Sequence, residues 1–216
     1  MEIIYAVTIR ILIGLLSLIF STLLLKKYYA KRDVKKLSIF LFFLFFGFSW
    51  ITNTLSVYSL NFSEEIAGNF KKASFGFMSL CSIAIFLFFG YFTFPKRIIY
   101  FYYTSAVLLI FYTAVIITHP IQYIRLDFVY NLEAKITMIL GSASSIMTAF
   151  FFIFYSRDKT LKKEIRKKSF FYGTGIMLLM ISNLFSALIN NMIVSDLMKV
   201  GIIFGLFLLF FSEVEK

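Results

Sequence analysis

Seven stretches of this 216-residue chain are apolar over about the 20 residues that a helix needs to cross a bilayer's hydrocarbon core. They run over roughly 3–25, 37–60, 73–94, 98–119, 136–155, 169–190 and 194–211. That feature leaves few folds open. In lipid, each backbone N–H and C=O must be satisfied inside its own segment, so every run is expected to be an α-helix. The expected class is all-α, a polytopic integral membrane bundle of seven transmembrane helices forming one domain over 1–216. The two prolines, Pro95 and Pro120, fall between runs and mark helix ends. The last run is the most polar at its start, where Asp196 and Lys199 sit.

Composition agrees with lipid as the solvent. Hydrophobic residues make up 60% of the chain and charged residues only 15%, more apolar surface than a soluble domain of this length can hide. Seven spans leave no room for a water-soluble catalytic domain. The chain opens on Glu2 with no basic leader and no small-residue cleavage site after the apolar stretch, so the first run reads as a span and not as a signal peptide. The lone cysteine, Cys81, excludes a disulfide within the chain.

The net charge of +11 invites a nucleic-acid reading, and its distribution argues against one. Residues 26–36, KKYYAKRDVKK, carry six Lys/Arg; Lys96 and Arg97 add two; residues 156–168, SRDKTLKKEIRKK, add seven; Lys216 adds one. The alternate connections hold five: Lys71, Lys72, Arg125, Lys135 and Lys199. Positive residues concentrate on the cytoplasmic side of membrane proteins, so the N-terminus is expected outside and the C-terminus in the cytoplasm of a cell-membrane protein. The basic loops, with Tyr28, Tyr29 and Tyr155 beside them, read as anchors against membrane lipid. Arg10, two turns into the first run, is expected to snorkel to the outer headgroups.

Signatures of soluble enzymes are absent: no P-loop, no glycine-rich dinucleotide motif, no H-E-x-x-H and no Cys/His cluster. With one histidine, His119, and one cysteine, neither a metal centre nor bis-histidine haem ligation is expected. The acids lie in loops, tails and run ends, which argues against proton pumps and cation-coupled carriers, since these place carboxylates at membrane depth. A retinal protein needs a mid-helix lysine in its last span; Lys199 lies near one end, and the third run holds no carboxylate. No enzyme activity and no cofactor are expected.

What the runs offer is neutral polar groups at helical spacing. Ser49, Asn53 and Ser56 share one face of the second helix, Asn183, Ser186 and Asn190 one face of the sixth, and Gly141, Ser145 and Thr148 one face of the fifth. In lipid such stripes turn toward other helices, either as interhelical hydrogen bonds or as the lining of a small polar pocket. The candidate ligand-binding set is therefore Ser49, Asn53, Ser56, Asn183, Ser186 and Asn190. Gly201-x-x-x-Gly205 in the last helix is a close-packing motif and a candidate oligomer contact. A faint repeat relates Ile51-Thr52-Asn53-Thr54-Leu55-Ser56 to Ile181-Ser182-Asn183-Leu184-Phe185-Ser186, and Asn61 to Asn191 at the same separation. It fits a parallel 3+1+3 arrangement with the fourth helix as linker.

The basic first loop followed by Phe48-Ser49-Trp50, the helix end Ile117-Thr118-His119-Pro120, and the basic connection leading into Phe171-Tyr172-Gly173-Thr174-Gly175 and Asn183 carry a resemblance. The chain resembles the seven-helix membrane sensory module of prokaryotic histidine kinases, without the proline that this module often carries in its sixth helix. The resemblance implies a sensory or regulatory module that perceives a small or lipid-like ligand from the outer side. Its signal would pass to a cytoplasmic partner at loops 26–36 and 156–168. The competing expectation, from the repeat, is a small-solute facilitator of two three-helix units; a third is a structural subunit of a membrane complex.

Overall fold

The computed structural model describes residues 2–118, 122–124, 127–129, 145–188 and 192–214. Apart from one pair of three-residue strands it is helical. The helices are α1 (Glu2–Lys31), α2 (Val34–Ser59), α3 (Glu64–Thr93), α4 (Ile98–Thr118), α5 (described over Ser145–Ser156), α6 (Lys163–Leu188) and α7 (Met192–Val214). A 3-10 turn, Pro95–Arg97, joins α3 to α4, and β1 (Gln122–Ile124) pairs antiparallel with β2 (Asp127–Val129). Among the described residues, four segments are long and apolar enough to cross a membrane: Val7–Ala30, Val34–Ser59, Glu64–Thr93 and Pro95–Ala114. The described part of α5 is shorter than a span, and α6 opens on the charged stretch Lys163-Glu164-Ile165-Arg166-Lys167-Lys168. The expected first half of the fifth run, 136–144, lies outside the described residues.

The chain divides into two compact units, Met1–Thr137 and Met138–Lys216. In the first, α1 packs on α2, α2 on α3 and α3 on α4. The α1–α2 turn is tight. Arg32 takes a left-handed backbone conformation (φ 46°), and the Asp33 carboxylate caps α2 by accepting from the Lys35 N–H at 3.0 Å. At the crossing, a Cβ on Gly47 would stand 2.8 Å from Leu18 Cδ2 and 3.1 Å from the Gly14 carbonyl oxygen, so two glycines set how closely these helices approach. Below it Phe20 meets Phe43 edge to face at 5.7 Å, beside the buried Phe42 and Phe46.

Ser63 caps α3 through its hydroxyl, which accepts the Ile66 N–H at 3.4 Å, and Glu64 and Glu65 complement the helix dipole in the first turn. The helix therefore starts nine residues before the apolar run at 73, and Lys71 and Lys72, expected in a loop, are helical. At its far end Phe101 of α4 lies among Phe86, Phe89 and Phe94, in space left by Gly90. Lys35 Nζ sits 5.6 Å from the Phe92 ring, so the start of α2 and the end of α3 lie together. The basic residues of 26–36, with Lys96 and Arg97, thus gather at one end of this unit.

In the second unit, α5 packs on α6 and α6 on α7. Gly173 lies against Ala149 and Ile153, and the Phe152 and Tyr172 rings meet at 5.5 Å. A Cβ on Gly205 would stand 2.8 Å from the Gly175 carbonyl oxygen, and one on Gly201 would overlap Ser182 Oγ. The Gly201-x-x-x-Gly205 face, a candidate oligomer contact, is therefore filled by α6 of the same chain. The Tyr172 hydroxyl donates to Glu213, which sets the end of α7 beside the basic start of α6.

Candidate functional site

The polar stripe of α2 meets α3. Ser49 and Ser74 each donate a hydroxyl proton to the other's backbone carbonyl, at 2.9 and 2.8 Å. Two turns along α2, the Ser56 hydroxyl donates to the Ala67 carbonyl at 2.8 Å. Between them, Lys71 Nζ donates to the Asn53 amide oxygen at 2.7 Å. Each pairing joins positions that slide in opposite directions along the two helices, as antiparallel packing requires. The three candidate residues of this unit are thus brought together along one interface.

Lys71 is the residue that the reading of the sequence missed. It is only 7% exposed and lies 5.7 Å from the Phe75 ring. The signal that could have found it is Ser63-Glu64-Glu65, a cap followed by acids, which starts the helix early enough to carry Lys71 one turn beyond Ala67. Arg10 corrects a second expectation. It is 7% exposed and buried within the protein rather than extended toward headgroups. Gly14 lies against Gly47 and Ile51, and Leu18 against Gly47, so the next turn of α1 brings Arg10 to the level of Thr54. Thr54 is buried and its hydroxyl donates to the Trp50 carbonyl at 2.8 Å. Two basic side chains, one from α1 and one from α3, therefore fall at the same level of α2, near the end remote from the basic turns.

Of the candidates in the second unit, Asn183 is half-buried on α6; Ser186 lies on the same helix with its side chain outside the described part, and Asn190 lies outside the described residues. The packing of Gly201 on Ser182 and of Gly205 on Gly175 sets the α6–α7 register. That register brings Lys199, only 2% exposed, to the level of Asn183. On α5, Ser145 and Thr148 are both buried, as their stripe predicts, and Gly141 lies outside the described residues.

Among the described residues, no group of three or more His, Cys, Asp or Glu could hold a metal ion. The chemistry on offer at these positions is hydrogen-bond donation from buried cations, amides and hydroxyls. Comparison with family models, with curated proteins and with solved structures gives no match.

Proposed function

We propose that the chain is a multi-pass sensory or regulatory module of the cell membrane. All seven helices span, the N-terminus lies outside and the C-terminus in the cytoplasm. A small or lipid-like ligand is perceived at the outer end of the first unit, and the change is read by a cytoplasmic partner at the basic loops 26–36 and 156–168. The observation that carries this reading is the α2–α3 interface, where three side-chain pairings, one of them made by the buried Lys71, lie in the half away from the basic turns. A ligand that favours one of two arrangements shifts their populations by its difference in affinity. Helices joined this closely pass such a shift along their length as a body.

The faint repeat between the α2 and α6 segments favours one rival, a small-solute facilitator built of two three-helix units. Against it, the stripe of α2 is already engaged by α3. Flux separates the two. Full-length protein in liposomes is expected to pass no solute and to retain a soluble signalling protein through the basic loops. Solute-specific flux abolished by Asn53→Leu would overturn the sensory reading.

A further inference from the structure

Charge and aromatic rings coincide at the basic end of the first unit. Residues 26–36 and 95–97 hold eight Lys/Arg and a single acid, Asp33, whose carboxylate is turned to the Lys35 N–H at 3.0 Å. Lys26, Arg32, Lys35, Lys96 and Arg97 are exposed, and Lys35 over the Phe92 ring brings the two connections to one end. Tyrosines mark the same level. Tyr29, in the last turn of α1, and Tyr100 and Tyr103, in the first two turns of α4, are each about two-thirds exposed. The hydroxyls of Tyr91 and Tyr102 meet between α3 and α4. Tyrosine settles where hydrocarbon gives way to wet headgroups, so this collar places the cations at headgroup depth. Two exposed apolar stripes lead away from it. Leu12, Leu15, Ile19 and Leu23 line α1 up to the turn that holds Lys26, and Ile99, Val107 and Ile110, with Tyr103 among them, line α4. From Leu12 to Leu23, and from Ile99 to Ile110, is about 16 Å at 1.5 Å per residue, the depth of one leaflet's hydrocarbon.

We propose that this end docks anionic phospholipids of the adjoining leaflet, their heads among the cations and their acyl chains along the α1 and α4 stripes. The attraction is the summed field of the end, and it needs neither a cavity nor one shared contact. A Lys or Arg near the surface raises the local share of an anionic lipid about fivefold. Charges within about 8 Å act together at physiological salt. A zwitterionic head carries its own cation and gains far less. The basic run of the second unit is built differently. Asp158 and Glu164 lie within residues 156–168, the Arg166 Nε–H donates to the Ser156 carbonyl at 3.1 Å, and Tyr172 holds Glu213 beside the start of α6. Its charge is partly offset within the chain, so the stronger lipid preference belongs to the first unit. The proposal goes beyond the sensory reading, does not rest on it, and holds for either orientation of the chain.

Full-length protein in phosphatidylcholine bilayers is probed with spin-labelled phosphatidylglycerol and with spin-labelled phosphatidylcholine. Electron paramagnetic resonance reads the fraction of each that the protein holds motionally restricted. The anionic lipid should be preferred at least about fivefold, and high salt should reduce that preference. Arg32→Gln/Lys96→Gln/Arg97→Gln should bring it below about twofold, while Arg32→Lys/Arg97→Lys should keep it. Lys159→Gln/Lys162→Gln/Lys163→Gln, in the second unit, should leave most of it. Where the first triple variant melts early, Lys96→Gln/Arg97→Gln, confined to two exposed side chains, takes its place and should still lower the preference. Four results would overturn the proposal: no preference in the parent, a preference indifferent to salt, an undiminished preference in glutamine variants of parental melting, or an equal loss from the second-unit variant. Binding of a poly-glutamate peptide in the absence of any lipid preference would name a protein surface instead. A lipid preference in a chain that retains no soluble partner upholds the surface and overturns the sensory reading.

Discussion

Ser49 on α2 and Ser74 on α3 exchange hydrogen bonds, each hydroxyl donating to the other's carbonyl, with the two oxygens 3.1 Å apart. The pair joins the helices at two points within one turn. Removing one hydroxyl leaves the other's bond to the backbone carbonyl in place but takes away the contact between the two oxygens, a loss that each single variant counts. Ser49→Ala and Ser74→Ala are each expected to cost about 0.6 kcal/mol, the average for interhelical hydrogen bonds in membranes, and no more than about 1.7 kcal/mol. The double variant should cost less than the sum. Unfolding titrations in mixed micelles measure all three, and strict additivity would show that the hydroxyls act independently.

Glycines in this chain differ in what they do, and the difference is measurable. A Cβ at Gly205 meets the Gly175 carbonyl at 2.8 Å and Leu179 at 3.0 Å, so Gly205→Ala must push α6 and α7 apart. Overpacking of that kind costs about 1–3 kcal/mol. Gly76, on α3, has nothing within 4 Å of where a Cβ would stand. Gly76→Ala is expected to lie within about 0.5 kcal/mol of the parent. Thermal denaturation of the two variants side by side tests the contrast; equal losses would refute the close α6–α7 approach.

Asp158, in the connection between α5 and α6, accepts from the Thr160 hydroxyl at 2.7 Å and from its backbone N–H at 2.9 Å. These bonds, the hydroxyl first, with help from the Arg166 charge, hold its carboxyl below the ordinary 3.8. A carboxyl whose folded pKa is depressed contributes its stabilisation above the unfolded value and loses it as pH falls through the folded one. The turn should therefore keep its geometry at neutral pH and loosen only in acid below 3.8. An NMR titration of the Asp158 carboxyl should find a midpoint under that value, and Thr160→Val should move it upward. An unshifted midpoint in the parent would dismiss the turn.

Helices were legible in the sequence because apolar runs of spanning length admit little else, and most boundaries needed only small adjustment. α3 was the larger miss. An apolar run marks where lipid begins, not where the helix begins; the cap at Ser63 starts α3 in a polar stretch, and Lys71 went uncounted among the buried residues. The α2 stripe was legible as a stripe from its spacing, but its partner was not, since spacing along one helix carries no register against another. The α2–α3 register depends on Ser63 and the short turn before it. Burial of Arg10 was hidden for a related reason: a long basic side chain near a helix end can reach water or turn inward, and the Gly14–Gly47 crossing decides which.

Topology is the prediction on which the functional proposal most depends. In the first unit the residues of 26–36 and of the Pro95–Arg97 turn lie at one end, shown by Lys35 over the Phe92 ring. At the opposite end, Glu64 and Glu65 begin α3. The excess of Lys and Arg at the first of these ends is expected to hold it at the cytoplasmic side. Single cysteines at Lys35 and at Lys162, both exposed, are placed in a Cys81→Ser background, since Cys81 is buried and the chain has no other thiol. In intact cells an impermeant maleimide should label neither, and both should label after permeabilisation. A cysteine at Glu65, exposed in the first turn of α3, should react from outside. Outside labelling at Lys35 would invert the first unit, moving the Lys71–Asn53 level to the cytoplasmic side and ending the case for an external ligand.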